Sequence, residues 1–168
     1  MRRDPSLRRL SRDHHTGLVL AKRTRELAAA DAARRDAAWA EAQARFADEL
    51  EPHFRLEEQG LLPALRAVGE DALVERTLAE HAELRELIGG GAEQVTERFA
   101  EALTAHIRFE EATLFETAQR VLDPQVLAEL GTLHEQAARP ACALSGSGSG
   151  SGSRSGSGAG SGSGDGAH

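Results

Sequence analysis

The chain has 168 residues, with 20 basic and 27 acidic side chains and a formal net charge of −7. That balance favours solubility and leaves no basic stripe set apart from neighbouring acids, so a nucleic-acid partner is not expected. No apolar run approaches the ~18–20 residues that would cross a bilayer, and Met1-Arg2-Arg3-Asp4 lacks the apolar segment of a signal peptide.

Before residue 145 the sequence is rich in Ala, Leu, Glu and Arg and has no Tyr, which is a helical composition. Pro5 and Ser6 suit a helix start, and apolar residues at Leu7, Leu10, Leu18, Val19 and Leu27, with His15 among them, predict a helix to about Ala30. Asp31 reads as a break or cap. A second helix is predicted from about Arg35 through Trp39, Phe46, Leu50, His53, Leu61 and Leu65 to Val68-Gly69. Pro52 inside it removes a backbone hydrogen bond and predicts an irregularity just before His53. Asp71 is expected to cap a third helix to about Ile88, ended by Gly89-Gly90-Gly91, and a fourth runs from Ala92 to about Leu122. Asp123-Pro124 reads as N-cap and first residue of a short fifth helix to about Arg139, stopped by Pro140. Four long amphipathic helices with short turns predict an all-α, up-down-up-down four-helix bundle over residues 1–144, with the fifth helix against it. Residues 145–168 are almost pure Ser-Gly and are expected to form a disordered tail.

One pattern occurs twice. His53-Phe54-Arg55-Leu56-Glu57-Glu58 and His106-Ile107-Arg108-Phe109-Glu110-Glu111 share the form H-x-R-x-E-E, each followed by an apolar pair. Each copy is preceded by a lone histidine in an H-x-x-L setting, His15 with Leu18 and His81 with Leu84. On a helix, positions four apart share a face, so His53 and Glu57 point the same way, as do His106 and Glu110. Imidazole with carboxylate suits iron, manganese or zinc, and the lack of thiolates argues against iron–sulfur or structural zinc. Counting residues from each expected turn puts the four histidines within about one helical turn of a common level.

In the order His15, His53/Glu57, His81, His106/Glu110, the chain resembles the hemerythrin-like (HHE cation-binding) family over about residues 5–140. The resemblance implies a four-helix bundle holding two non-haem iron ions, one with His15 and His53, the other with His81 and His106, bridged by Glu57 and Glu110. Oxygen-carrying hemerythrins have a further histidine four residues before the one matching His81. Thr77 stands there, so the chain is closer to the bacterial proteins with two histidines per iron. His14 competes with His15 for the first position. It lies ~100° round the helix, and the shared H-x-x-L setting favours His15. Glu111 competes with Glu110, because oxygen carriers use a five-residue spacing, and the internal repeat favours Glu110.

The small-molecule partner implied is oxygen, peroxide or nitric oxide, in sensing, stress response or iron handling. An enzyme that decomposes peroxide, reduces nitric oxide or serves cluster repair is the alternative. A metal-free bundle is disfavoured because six polar groups aimed at a core are costly. A ferritin-like oxidase would need Glu-x-x-His motifs, which are absent. A single cysteine, Cys142, excludes an internal disulfide and fits a reducing cytoplasm. His134 has no partner at ligand spacing and is read as structural or exposed. Trp39, Phe46, Phe99, Phe109 and Phe115 are read as core, and Arg55 and Arg108 as surface partners of nearby acids.

Overall fold

A computed structural model describes residues 3–27 and 30–137. The tail, Cys142 and His168 lie outside the described residues. A 3-10 turn, Pro5–Leu7, is capped by Asp4, whose carboxylate accepts from the Ser6 N–H, and leads into α1, Arg8–Leu27. Helix α2 spans 32–67, α3 Asp71–Gly89, α4 92–121 and α5 Pro124–Ala137. No strand occurs among the described residues, and no described helix is long and apolar enough to cross a membrane.

The helix ends follow local chemistry. Asp31 caps α2 by accepting from the Arg34 N–H, a role for which a short acidic side chain is suited. Val68 ends α2, and Gly69 follows at φ 87°, the left-handed region in which a side chain would be strained. Asp71 is the first residue of α3 and not its cap. Glu70 holds the cap position without a side-chain hydrogen bond. Asp123 caps α5 by accepting from the Gln125 N–H at 2.7 Å, with Pro124 in the first turn.

Helices α2 and α4 carry wider π turns, in which an N–H bonds to the carbonyl five residues back. The Glu51 N–H donates to Phe46, the Leu62 N–H to Glu57 and the Phe115 N–H to Glu110. The first of these turns ends just before Pro52, where an irregularity was expected. The third lies in a stretch without proline, so proline alone does not account for these turns.

The apolar core is in two parts. One contains Leu20, Ala21, Trp39, Phe46, Phe54, Leu84, Phe99 and Leu103. The other contains Leu7, Leu10, Leu61, Leu65, Val74, Phe109, Phe115 and Leu130. Followed along the chain, α1 passes from the second to the first, α2 returns, α3 repeats α1 and α4 repeats α2. That order is an up-down-up-down bundle. Each fully buried large apolar side chain contributes about 1.5–3 kcal/mol, so both ends are firmly held. Gly17 admits the close approach of α1 to α4, since a Cβ there would lie 2.8 Å from Cδ1 of Ile107.

Candidate metal centre

Between the two apolar clusters lies a polar layer. His14, His53, Glu57, His81, His106 and Glu110 fill it, and none is more than 3 % exposed. The structure thus brings together five of the six residues expected from the sequence and replaces the sixth. His15 is exposed, and His14 occupies the inward position. The helical phase explains this correction. From Leu7 of the 3-10 turn, buried positions continue through α1 at Leu10, His14, Gly17, Leu20, Ala21 and Thr24, three- and four-residue steps that keep to one face. His15 lies off that face, and so does Leu18, which is 38 % exposed. The signal that finds His14 is an acid–histidine pair: Asp13-His14 on α1 matches Glu80-His81 on α3.

The imidazoles turn Nε2 inward. His14 Nε2 lies 3.1 Å from His53 Nε2 and 2.9 Å from Oε2 of Glu110. Each glutamate faces both sides of the layer. Glu57 places Oε1 3.4 Å from His53 Nε2 and Oε2 3.4 Å from His81 Nε2. Glu110 places Oε2 by His14, and its Oε1 lies 3.2 Å from His106 Nε2 and 3.7 Å from His81 Nε2. Two sets of donor atoms result, each lying within 4.8 Å: His14, His53, Glu57 and Glu110 in one, and His81, His106 and Glu110 in the other.

A second ring of carboxylates meets the outer nitrogens. Glu111 Oε1 lies 2.7 Å from His14 Nδ1, Glu58 Oε1 2.9 Å from His81 Nδ1, and Glu80 Oε2 2.9 Å from His106 Nδ1. An ionised carboxylate only accepts, so each holds a proton on Nδ1 and turns Nε2 inward, the nitrogen that a cation would take once its proton is displaced. Arginines hold these glutamates in turn: Arg3 on Glu111 at 2.5 Å, Arg85 on Glu58 at 2.7 Å and Arg76 on Glu80 at 2.7 Å. Glu111 is therefore an outer partner of His14, while Glu110 is the inward carboxylate. The sequence offered Glu111 only as a rival to Glu110 for the inward position, and gave Glu58 and Glu80 no role. Their signal is position: each is the chain neighbour of an inward residue.

The electrostatics follow from the same contacts. Burial disfavours a charged His14, but Glu110 and Glu111, with the charge of Glu57, outweigh it and lift the group to about 10. Burial likewise opposes a charged His81, and Glu110 and Glu57 raise it to about 10. Glu110 is pushed well below the usual carboxylate range, burial being overcome by His106, His14 and His81. For Glu111, burial is overcome by His14, Ser11 and Arg3, leaving it at about 2.

Aromatic rings fix two imidazoles. Phe54 stacks on His81 at 3.9 Å between centroids and Phe115 on His14 at 5.2 Å. Thr77 is buried, but its hydroxyl donates to the Leu73 carbonyl of its own helix at 2.9 Å. Trp39, Phe46, Phe99, Phe109 and Phe115 are buried as expected, and Arg55 is a surface partner of Glu51. His134 is only 1 % exposed, so it is not a surface residue, and neither ring nitrogen has a hydrogen-bond partner.

The donor set suits a cation. Both oxygens of Glu57 and of Glu110, and Nε2 of His81 and His106, are buried without an aligned hydrogen-bond partner. Unmade interactions of this kind are costly in a core, and a divalent ion satisfies them together. The family model described as the hemerythrin HHE cation binding domain matches residues 6–118. No curated protein and no solved structure matches the chain.

Proposed function

Because the chain belongs to the hemerythrin HHE cation-binding family, we propose that its polar layer holds two non-haem iron ions that bind or react with oxygen, peroxide or nitric oxide. The observation that carries this reading is the two-sidedness of Glu57 and Glu110, each of which presents one oxygen to either half of the layer. His14 and His53 would hold one ion, His81 and His106 the other, with the two glutamates across both. Manganese or zinc would suit the same donors.

When bound, the iron pair would supply reducing electrons and open coordination positions for a small ligand. The protein's own part is positioning and exclusion. Glu58, Glu80 and Glu111 hold the Nδ1 protons of His81, His106 and His14, which fixes the rings before any ligand arrives. Phe54 and Phe115 cover the faces of His81 and His14, restricting water beside them. Thr77, with its hydroxyl turned back to Leu73, supplies no further donor. Fewer protein donors leave more positions for a reacting ligand, which favours a sensing, stress or iron-handling role over simple oxygen carriage. The single cysteine makes a reducing cytoplasm the proposed setting.

The test is metal analysis with an ultraviolet–visible spectrum on protein loaded with iron anaerobically and then exposed to air. About two irons per chain, with new near-ultraviolet absorption on oxidation, is the expected result. Stoichiometric zinc or no metal, with an unchanged spectrum, refutes it.

A further inference from the structure

The outer carboxylate ring is incomplete at one place. His14, His81 and His106 each have a glutamate oxygen within 2.7–2.9 Å of Nδ1. His53 does not. Its nearest counterpart is Asp13, whose Oδ2 lies 3.6 Å away, and Nδ1 of His53 is buried with no hydrogen-bond partner. The internal repeat accounts for the gap. Asp13 precedes His14 as Glu80 precedes His81, and both reach for the histidine of the following helix. Asp13 is one methylene shorter, and it falls short by 0.7 Å relative to Glu80 on His106 (3.6 against 2.9 Å). Its own anchor is also weak. Arg9 stands 4.0 Å from Asp13, while Arg76 holds Glu80 at 2.7 Å.

The same corner opens to solvent. A cleft of about 660 Å³ between α1 and α2 is lined by Arg9, Asp13, Thr16, Pro52, His53 and Gln59. A π turn, Phe46–Leu50, lies just before Pro52 at its edge. The one imidazole of the four without a clamp is therefore on the wall of an open cleft.

We infer that His53 is the labile side of the metal centre, and that a divalent cation enters and leaves past it, with Asp13 as the short clamp that leaves the ring free to move. This rests on the metal-centre reading proposed above. Asp13 marks a positioning site in this account: at its present length the acid leaves His53 unclamped, and one methylene more would hold the ring.

The length of the acid is the test. The full chain, freed of metal, is loaded with Co(II), and loss of its visible absorbance into excess chelator is timed by stopped flow. Asp13→Glu should close the gap and slow release about tenfold, at equal cobalt content. Glu80→Asp should open a matching gap at His106 and speed release. Asp13→Ala, which removes a clamp that hardly holds, should leave the rate within about twofold of the parent on the same scale. Metal-free melting curves confirm that each variant is folded. If Asp13→Glu does not fold, the other two substitutions decide. An unchanged or faster rate in Asp13→Glu, a large acceleration in Asp13→Ala, or no change in Glu80→Asp overturns the inference while leaving the metal centre intact. Failure of the parent protein to take up Co(II) refutes the centre itself, and this inference with it.

Discussion

The two adjacent histidines of α1 give the sharpest test of the site, because they differ in environment and not in chemistry. His14 is buried, 2.7 Å from Glu111 and 2.9 Å from Glu110, while His15 is exposed. Removing one partner of a buried ion pair costs about 3–5 kcal/mol. His14→Ala belongs at the low end, since Glu110 keeps His106 and His81 beside its other oxygen. At roughly 3–4 °C per kcal/mol for a domain of this size, about 3 kcal/mol becomes a fall of roughly 10 °C in the metal-free melting temperature. His15→Ala is a surface change worth within about 0.5 kcal/mol, or roughly 2 °C. Far-ultraviolet circular dichroism on chelator-treated protein reads the difference, and elemental analysis of iron-loaded protein reads the second consequence. His14→Ala should retain less iron than the parent, and His15→Ala as much. A His15→Ala variant that melts as low as His14→Ala, or loses as much iron, would refute the placement of α1.

The outer ring and the helix contacts give further expectations. Glu58→Gln should weaken metal binding by about 10–100-fold, because it removes the charged acceptor that holds the His81 Nδ1 proton at 2.9 Å; a titration showing unchanged affinity would assign Glu58 to the Arg85 pair alone. Metal uptake should also depend on pH. His14 and His81 are raised to about 10 and stay protonated below that, so a cation must displace about two protons at neutral pH. Affinity should therefore rise with pH and flatten above about 10, a trend that calorimetry in buffers of different ionisation enthalpy measures directly. At Gly131 an added Cβ would meet the Ser6 backbone and Cβ at 3.0 Å, whereas at Gly60 it meets only the mobile end of Leu130 at 2.9 Å. Gly131→Ala should thus cost about 1–3 kcal/mol and Gly60→Ala clearly less, in denaturant unfolding.

Much of this arrangement could be read from the residues. The H-x-R-x-E-E repeat identified four inward residues because a four-residue step on a helix needs no tertiary information. Pro52 announced its irregularity for the same local reason. His14 was harder, because one lone histidine carries no spacing of its own. Aligning His15-x-x-Leu18 with His81-x-x-Leu84 followed a leucine that turned out to be 38 % exposed, whereas the acid–histidine pairs carry the true register. The π turns starting at Glu57 and Glu110 have no sequence signal of comparable strength. The outer clamps required the bundle itself: Glu58 lies ~100° from Glu57 on its helix, and only the position of α3 makes His81 its partner. For His134 the sequence left structural and exposed readings open, and packing of α5 decides for the buried one, which one polar residue on a short helix does not reveal.

The clamps also cross between the two halves of the chain. Glu58 of the first hairpin holds His81 of the second, and Glu111 of the second holds His14 of the first. The inward glutamates do the same, Glu57 reaching His81 and Glu110 reaching His14. Each hairpin thus owns half a centre and the means to complete the other. This is the exchange that two identical hairpins would make by pairing about a two-fold axis, here written into one continuous chain. It follows that the hairpins cannot part without dismantling both halves of the site at once, so retention of the cation and cohesion of the bundle rise and fall together.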